Sequence, residues 1–187
     1  MTISSLVQLS GSLEVPSIGR RSLTLDEFAN QFGPGTEFCN NERRMLIWGH
    51  FIRATEMLRS SIDVAAVWIG GSFITNKPDP NDVDAVYILN ENKYSNLDVS
   101  GKQRVAGFGT DGWLFERSIR VDSHILGWRP HAELDHRNPA QHEYLKSRGY
   151  WDDFLQRYAE DKKSPLTEAS AIPKRGYLEV ILDGYDS

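Results

Sequence analysis

The sequence predicts an α+β domain, a mixed β-sheet flanked by helices. Three observations carry that expectation. Val64–Leu89 contains an apolar run, a glycine turn, a loop of turn formers and then a second run that alternates polar and apolar residues, the period of a strand. Ahead of it, Ile47, Phe51, Ala54 and Leu58 recur at the spacing of one helix face. After it, Arg117–Leu126 alternates again. The 187 residues fit a single domain, residues 1–187, with room for a core. A hydrophobic content of 40% is that of a globular chain rather than a disordered one.

Residues 1–22 are rich in Ser and Gly and read as a loosely ordered N-terminal arm, in which Ser4–Leu9 and Ser12–Val15 have the length of a short hairpin. Thr24 and Glu27 form a capping box, so a short helix runs from Leu25 to about Gln31 and ends at Gly33-Pro34-Gly35. Asn40 or Asn41 caps a long helix from about Glu42 to Ser60, with Trp48 and Ile52 widening its apolar stripe. Arg43, Arg44, Arg53 and Arg59 fall on or beside the other face, and His50 reads as a packed histidine. Strands are expected near 64–69, 83–89 and 118–126. Asn90–Asn96 is polar enough for an exposed loop.

Val105–Gly112 contains GxGxxG, but the dinucleotide fingerprint needs a helix after it, and Trp113-Leu114-Phe115 reads as a strand. A hairpin turning at Asp111-Gly112 is the expectation. His131, His136 and His142 lack zinc-ligand spacing and read as a polar loop. Asn138-Pro139 starts a helix that runs to about Lys162, breaking near Gly149, with Tyr144, Trp151, Phe154, Leu155 and Tyr158 as its apolar face. Ser164–Pro173 is a loop and Gly176–Leu182 a last strand.

Chemistry concentrates at the glycine turn. Gly70-Gly71-Ser72 ends one strand, and Asp82-Val83-Asp84 opens the next. Side chains two apart on a strand share a face, so Asp82 and Asp84 point the same way. Two carboxylates side by side call for a positive group between them, and a divalent cation with oxygen ligands is the economical one.

This arrangement resembles the nucleotidyltransferase superfamily, the group that includes DNA polymerase beta. The residues that carry the likeness are Gly71-Ser72, the Phe73–Asp82 loop, Asp82-Val83-Asp84, and Asp122 on the third alternating run. The stretch GSFITNKPDPNDVD, with Thr75, Lys77, Pro80 and Asp82, also resembles a branch of small, mostly bacterial and phage proteins, and Asp26–Leu58 does so more loosely. The resemblance implies a polymerase beta-like fold in which Asp82 and Asp84 hold Mg²⁺ (or Mn²⁺) and Asp122 completes a second metal site. It further implies that Gly70, Gly71 and Ser72 bind the phosphates of an NTP, with Lys77 as a further contact. Transfer of a nucleoside monophosphate to a hydroxyl, on a protein side chain or an RNA end, follows, as in toxin–antitoxin or phage-defence pairs. Two other readings use the same residues. Asp122 with Arg120 is also the pattern of a surface ion pair, and the whole motif also fits a catalytically inactive nucleotide-binding or protein-interaction module.

The net charge of −5 argues against a chain that lives on non-specific phosphate binding, and it disfavours an RNA acceptor. Cys39 is the one cysteine, so no intrachain disulfide forms and the cytoplasm is the expected location. No signal pattern or run of membrane-spanning length is present, and no membrane partner is expected.

Overall fold

Thr24 closes the first strand and caps the first helix with the same residue. The computed structural model describes residues 16–129, 131, 133–158, 165 and 167–185. Strand β1 (Gly19–Thr24) leads into helix α1 (Leu25–Phe32), where the Thr24 side chain accepts from Glu27 N and the Glu27 carboxylate accepts from Thr24 N. Helix α2 (Glu42–Arg59), capped by Asn41, precedes strand β2 (Val64–Gly70). A one-turn 3-10 helix at Ser72–Ile74 begins the loop to strand β3 (Val83–Asn90). Helices α3 (Glu91–Ser95) and α4 (Val99–Phe108) follow, then strand β4 (Val121–Trp128), helix α5 (Pro139–Gln156) and strand β5 (Gly176–Ile181).

The five strands form one mixed sheet in the order β1-β5-β2-β3-β4. β2 runs antiparallel to both β3 and β5, whereas β3 with β4 and β1 with β5 are parallel. Helices cover both faces, so the α+β class expected from the sequence is the observed one. On one face α1, α2 and α4 meet Val83, Ala85, Tyr87 and Leu89 of β3. On the other, Tyr144 and Leu155 of α5 meet Trp68, Val86, Ile88 and Tyr177.

Several local expectations need correction. β1 falls partly inside the stretch read as an arm. Only Leu23 of β1 is buried, so the strand shows no alternation, and its pairing with β5 defines it. The pieces Ser4–Leu9 and Ser12–Val15 lie outside the described residues. Within Asn90–Asn96, Glu91–Ser95 is a short helix, because the Asn90 side chain accepts from Asn92 N and starts the turn. Val105–Gly112 forms no hairpin. Asp98 caps α4, which runs through Val105–Phe108, and Trp113–Arg117 continues as turn and 3-10 helix. Gly107 serves packing there, since a Cβ on it would stand 2.4 Å from the Trp113 ring.

α5 passes Gly149 without a break and ends at Gln156, with Arg157 already extended. Its aromatic face is only partly core: Tyr144 and Leu155 are buried, whereas Phe154 and Tyr158 are exposed. Arg44 was expected at the solvent side of α2 but is buried. His50 is packed as expected, and its Nδ1 accepts from Arg120 N at 3.2 Å, fixing the approach to β4.

Candidate functional site

The end of the sheet at the glycine turn gathers the chemistry. Gly70, the last residue of β2, pairs with Asp84 on β3, and Asp84 pairs with Asp122 on β4. Paired residues on neighbouring strands share a face. Asp84 and Asp122 therefore project side by side toward the α5 layer, and both are half-buried. Asp82 lies just before β3, two residues ahead of Asp84, and is also half-buried.

The two glycines meet different demands. A Cβ at Gly70 would stand 2.7 Å from Leu155 Cδ2, so glycine lets α5 settle on the end of β2. Gly71 has φ 71°, where side chains are strained, and a Cβ there would fall 1.4 Å from Asp84 Oδ2. The bare backbone of the turn thus lies directly against the Asp84 carboxylate. Ser72 follows at the start of the 3-10 turn, where its carbonyl accepts from Thr75 N at 3.2 Å and from the Thr75 hydroxyl at 2.9 Å.

The first turn of α2 holds the loop that joins Ser72 to Asp82. Buried Arg44 donates to the carbonyls of Phe73 and Thr75, both at 2.8 Å, and of Lys77 at 2.5 Å. Its guanidinium lies over the Phe38 ring, 4.0 Å from the centroid. Arg43 Nε donates to Pro80 O at 3.0 Å, and Asn41 Nδ2 to Pro78 O at 3.1 Å. Three residues at the start of α2, the cap Asn41 with Arg43 and Arg44, fix the loop's course. Burial pulls the Arg44 guanidinium below its ordinary value, while Cys39 and Asp79 act the other way. Lys77 is exposed and lines a cavity of about 210 Å³ with Glu37, Phe38 and Asn41, on the α2 side of the loop. Gly70, Gly71, Asp84 and Asp122 stand together across the strands.

Asp122 leans along its own strand. His124 Nε2 lies 3.5 Å from Asp122 Oδ1. The His124 ring packs on Trp151 of α5, with centroids 4.3 Å apart. Among the described residues no three His, Cys, Asp or Glu side chains converge as a metal cage.

Arg175 completes the neighbourhood from the opposite side. Ile69 pairs with Leu178, so the residues before β5 run past the glycine turn. Arg175 Nε donates to Leu155 O at 3.3 Å, and its guanidinium stands 5.8 Å from the Tyr158 ring centroid. Burial pulls Arg175 below its ordinary value, and the charge of Asp84 opposes that pull.

Sequence reasoning missed Arg44, Trp151 and Arg175 as parts of this region. Arg44 had a signal: it sits three residues before Ile47, on the buried stripe of α2. Arg175 showed only as a basic pair with Lys174.

The profile of a family of unknown function, DUF6932, matches residues 14–181, and the chain belongs to that family. No curated protein and no solved structure matches it. Among the described residues no helix is long and apolar enough to cross a membrane.

Proposed function

We propose that this DUF6932 chain is a metal-dependent nucleotidyltransferase with the polymerase beta-like fold, moving a nucleoside monophosphate from an NTP to a hydroxyl acceptor. The observation that carries the reading is the row Gly70, Asp84 and Asp122, in register across three strands, with Gly71 bare against the Asp84 carboxylate. Asp82, Asp84 and Asp122 are hard oxygen donors of the type that suits Mg²⁺ or Mn²⁺. A cation held there would neutralise phosphate charge and lower the pKa of the attacking hydroxyl.

The chain's own residues do the positioning. The backbone of Gly70, Gly71 and Ser72 and the Ser72 hydroxyl face phosphate oxygens, while the missing Cβ atoms make room for Leu155 and the Asp84 carboxylate. Asp122 accepts the proton of the acceptor hydroxyl. The acceptor oxygen bonds to the α-phosphorus while the bond from that phosphorus to the departing pyrophosphate breaks. Lys77, out on the exposed loop, is the member of the set whose loss matters least. The acceptor is a protein side chain or an RNA end, with the acidic balance favouring protein. The setting is a cytoplasmic toxin–antitoxin or phage-defence pair.

The test is pyrophosphate release from each of the four NTPs with Mg²⁺ and cell lysate as acceptor source. Asp84→Asn keeps the shape and removes a charge, so release should fall by roughly 10²–10³ or more with the melting temperature preserved. Equal background release from wild type and variant would remove the support for an enzyme. A second reading, nucleotide binding without turnover, is favoured by one observation: Asp122 leans toward His124. In that case nucleotide binds, no pyrophosphate appears, and Asp84→Asn changes affinity alone.

A further inference from the structure

We propose that Arg175 is the anchor for the outer phosphates of the nucleotide, gripping them from the side of the glycine turn opposite Asp84. The proposal rests on the nucleotidyltransferase reading and adds a residue and a binding direction to it.

Position is the first argument. β5 enters the sheet next to β2, and Ile69 pairs with Leu178 in an antiparallel register. Carrying that register toward the turn brings Gly176 and Arg175 alongside Gly71 and Ser72. Asp84 lies on the other side, paired to Gly70 from β3. The glycine turn is thus flanked by a carboxylate on one hand and a guanidinium on the other. A polyphosphate laid along the turn would have its metal-bound side toward Asp84 and its far side toward Arg175.

Preorganisation is the second. Lys174 N and Arg175 N both donate to Gln156 O, at 2.9 and 3.3 Å, tying this segment to the end of α5. The Gln156 side chain in turn accepts from Gly19 N at 2.9 Å. The Leu155 carbonyl takes Arg175 Nε, and the Tyr158 ring lies near the guanidinium. A guanidinium has five N–H donors in a planar fork, and Leu155 uses one of them. The same Leu155 packs on Gly70, so one residue of α5 seats both the turn and the arginine.

Charge is the third. A half-buried cation needs an anion nearby, and Asp84 is the carboxylate whose charge reaches Arg175. A cation bound at the carboxylates would draw on that same charge. Arg175 then gains most from a phosphate, which takes the bidentate pairing that arginine favours. The α5 aromatics do not compete for this role, since they offer no charge to an anion.

The experiment measures binding of inorganic tripolyphosphate, the four NTPs and the matching NMPs to the full chain with Mg²⁺, in wild type, Arg175→Gln and Arg175→Lys. Arg175→Gln should weaken tripolyphosphate and all four NTPs by a similar roughly 10- to 100-fold and leave NMP affinity nearly unchanged. Arg175→Lys, which keeps the charge and loses the fork, should fall between. Wild-type affinity for tripolyphosphate and NTPs in Arg175→Gln overturns the proposal and leaves the nucleotide reading standing. No binding of any NTP or tripolyphosphate to the wild type overturns both. Should Arg175→Gln melt early, the wild type carries the test alone. Tripolyphosphate should protect Arg175 from phenylglyoxal, read on the peptide by mass spectrometry, and unchanged labelling there overturns the proposal.

Discussion

On one face of the sheet, Val83, Ala85, Tyr87 and Leu89 of β3 enter a core closed by α1, α2 and α4. On the other, Val86 and Ile88 of the same strand pack with Tyr144 and Leu155 of α5, with Trp128 and Tyr185 beside them, and Asp84 projects from the same side. The first face is interlocked: Phe28 stacks on Phe32 and Trp48 and meets Phe51 edge-on. A buried hydroxyl pair, Tyr87 with Thr55 at 3.1 Å, is satisfied internally, and burial pushes the Tyr87 hydroxyl far above its ordinary value. The second face carries the charges. Asp84 and Asp122 stand at its open end, Arg175 borders it, and Glu179 sits within it under four donors. The difference follows from solvation. A buried charge is costly unless hydrogen-bonded, so Glu179 is held by its four donors, and Asp84 and Asp122 lie half-buried at the end of the sheet. The aromatic core and the candidate site thus lie on opposite sides of the same strands.

Breaking the closed face should give the largest stability loss. Phe51 has 0% exposure and lies at the centre of the aromatic cluster. Phe51→Ala should cost about 3–5 kcal/mol, as the ring's contacts are lost and neighbours only partly refill the space. Urea unfolding with an unchanged slope checks it. A loss below about 1 kcal/mol would show that this face is not the stabilising one.

Arg44 links the two faces, since it is buried on α2 yet grips the loop that leads to Asp82. Arg44→Met keeps much of the volume and leaves the carbonyls of Phe73, Thr75 and Lys77 without their donor. Charge-assisted bonds of this kind suggest a loss of about 2–3 kcal/mol. Nucleotide binding should fall further than stability predicts, because the loop would lose its course. Equal losses in both would make Arg44 a stability element only.

How much of this was legible follows the same division. β2 was readable as an apolar run because both its faces are buried, and β3, β4 and the stripe of α2 by their strand or helix period. Thr24–Glu27 and Asn138-Pro139 were readable because capping is local chemistry. β1 was not, as only Leu23 faces inward and the strand exists through its β5 partner. α4 was not, because its glycines masked a helix that Asp98 starts and Trp113 packs. At the candidate site, the glycines and the Asp-x-Asp pair are close in sequence and could be grouped. His124, two residues after Asp122 on the same strand, shares its face by strand period, whereas Arg175 and Trp151 come from distant segments, and only the sheet order and the path of α5 bring them near.

Glu179 tests the charged face by pH. Burial alone would raise its carboxyl, but hydrogen bonds from Ser22, Tyr185 and Trp68, and the charge of Arg20, hold it below the ordinary 4.5. The unfolded chain therefore takes up the proton first. The stabilisation is present above pH 4.5 and is lost as pH falls through the lower folded value. Glu179→Gln should be less stable at neutral pH and show a shallower fall in melting temperature across that acid window. An acid limb as steep as that of the wild type would assign the pH dependence elsewhere, with Asp183, held low by Arg59 and Val64 N, as the next candidate.

The smallest effect is expected at the outer side of α5, and it is the counterpart of Phe51→Ala. Phe154 is 46% exposed and stacks on Tyr150, 5.8 Å between centroids, on the side of the helix turned from Leu155. Tyr150 is itself exposed, so the pair shelters little surface from water. Truncation leaves no sealed cavity, and alanine is a better helix former than phenylalanine, which offsets part of the lost ring contact. Phe154→Ala should change stability by no more than about 0.5 kcal/mol, the range of surface substitutions. Leu155→Ala, one position on but buried against Gly70, should cost about 2–5 kcal/mol. Urea midpoints of the two variants, side by side, measure how sharply α5 divides its covered side from its open one. A Phe154→Ala cost approaching that of Leu155→Ala would mean that the aromatic side is covered in solution, and the contrast between the two faces would then have to be redrawn.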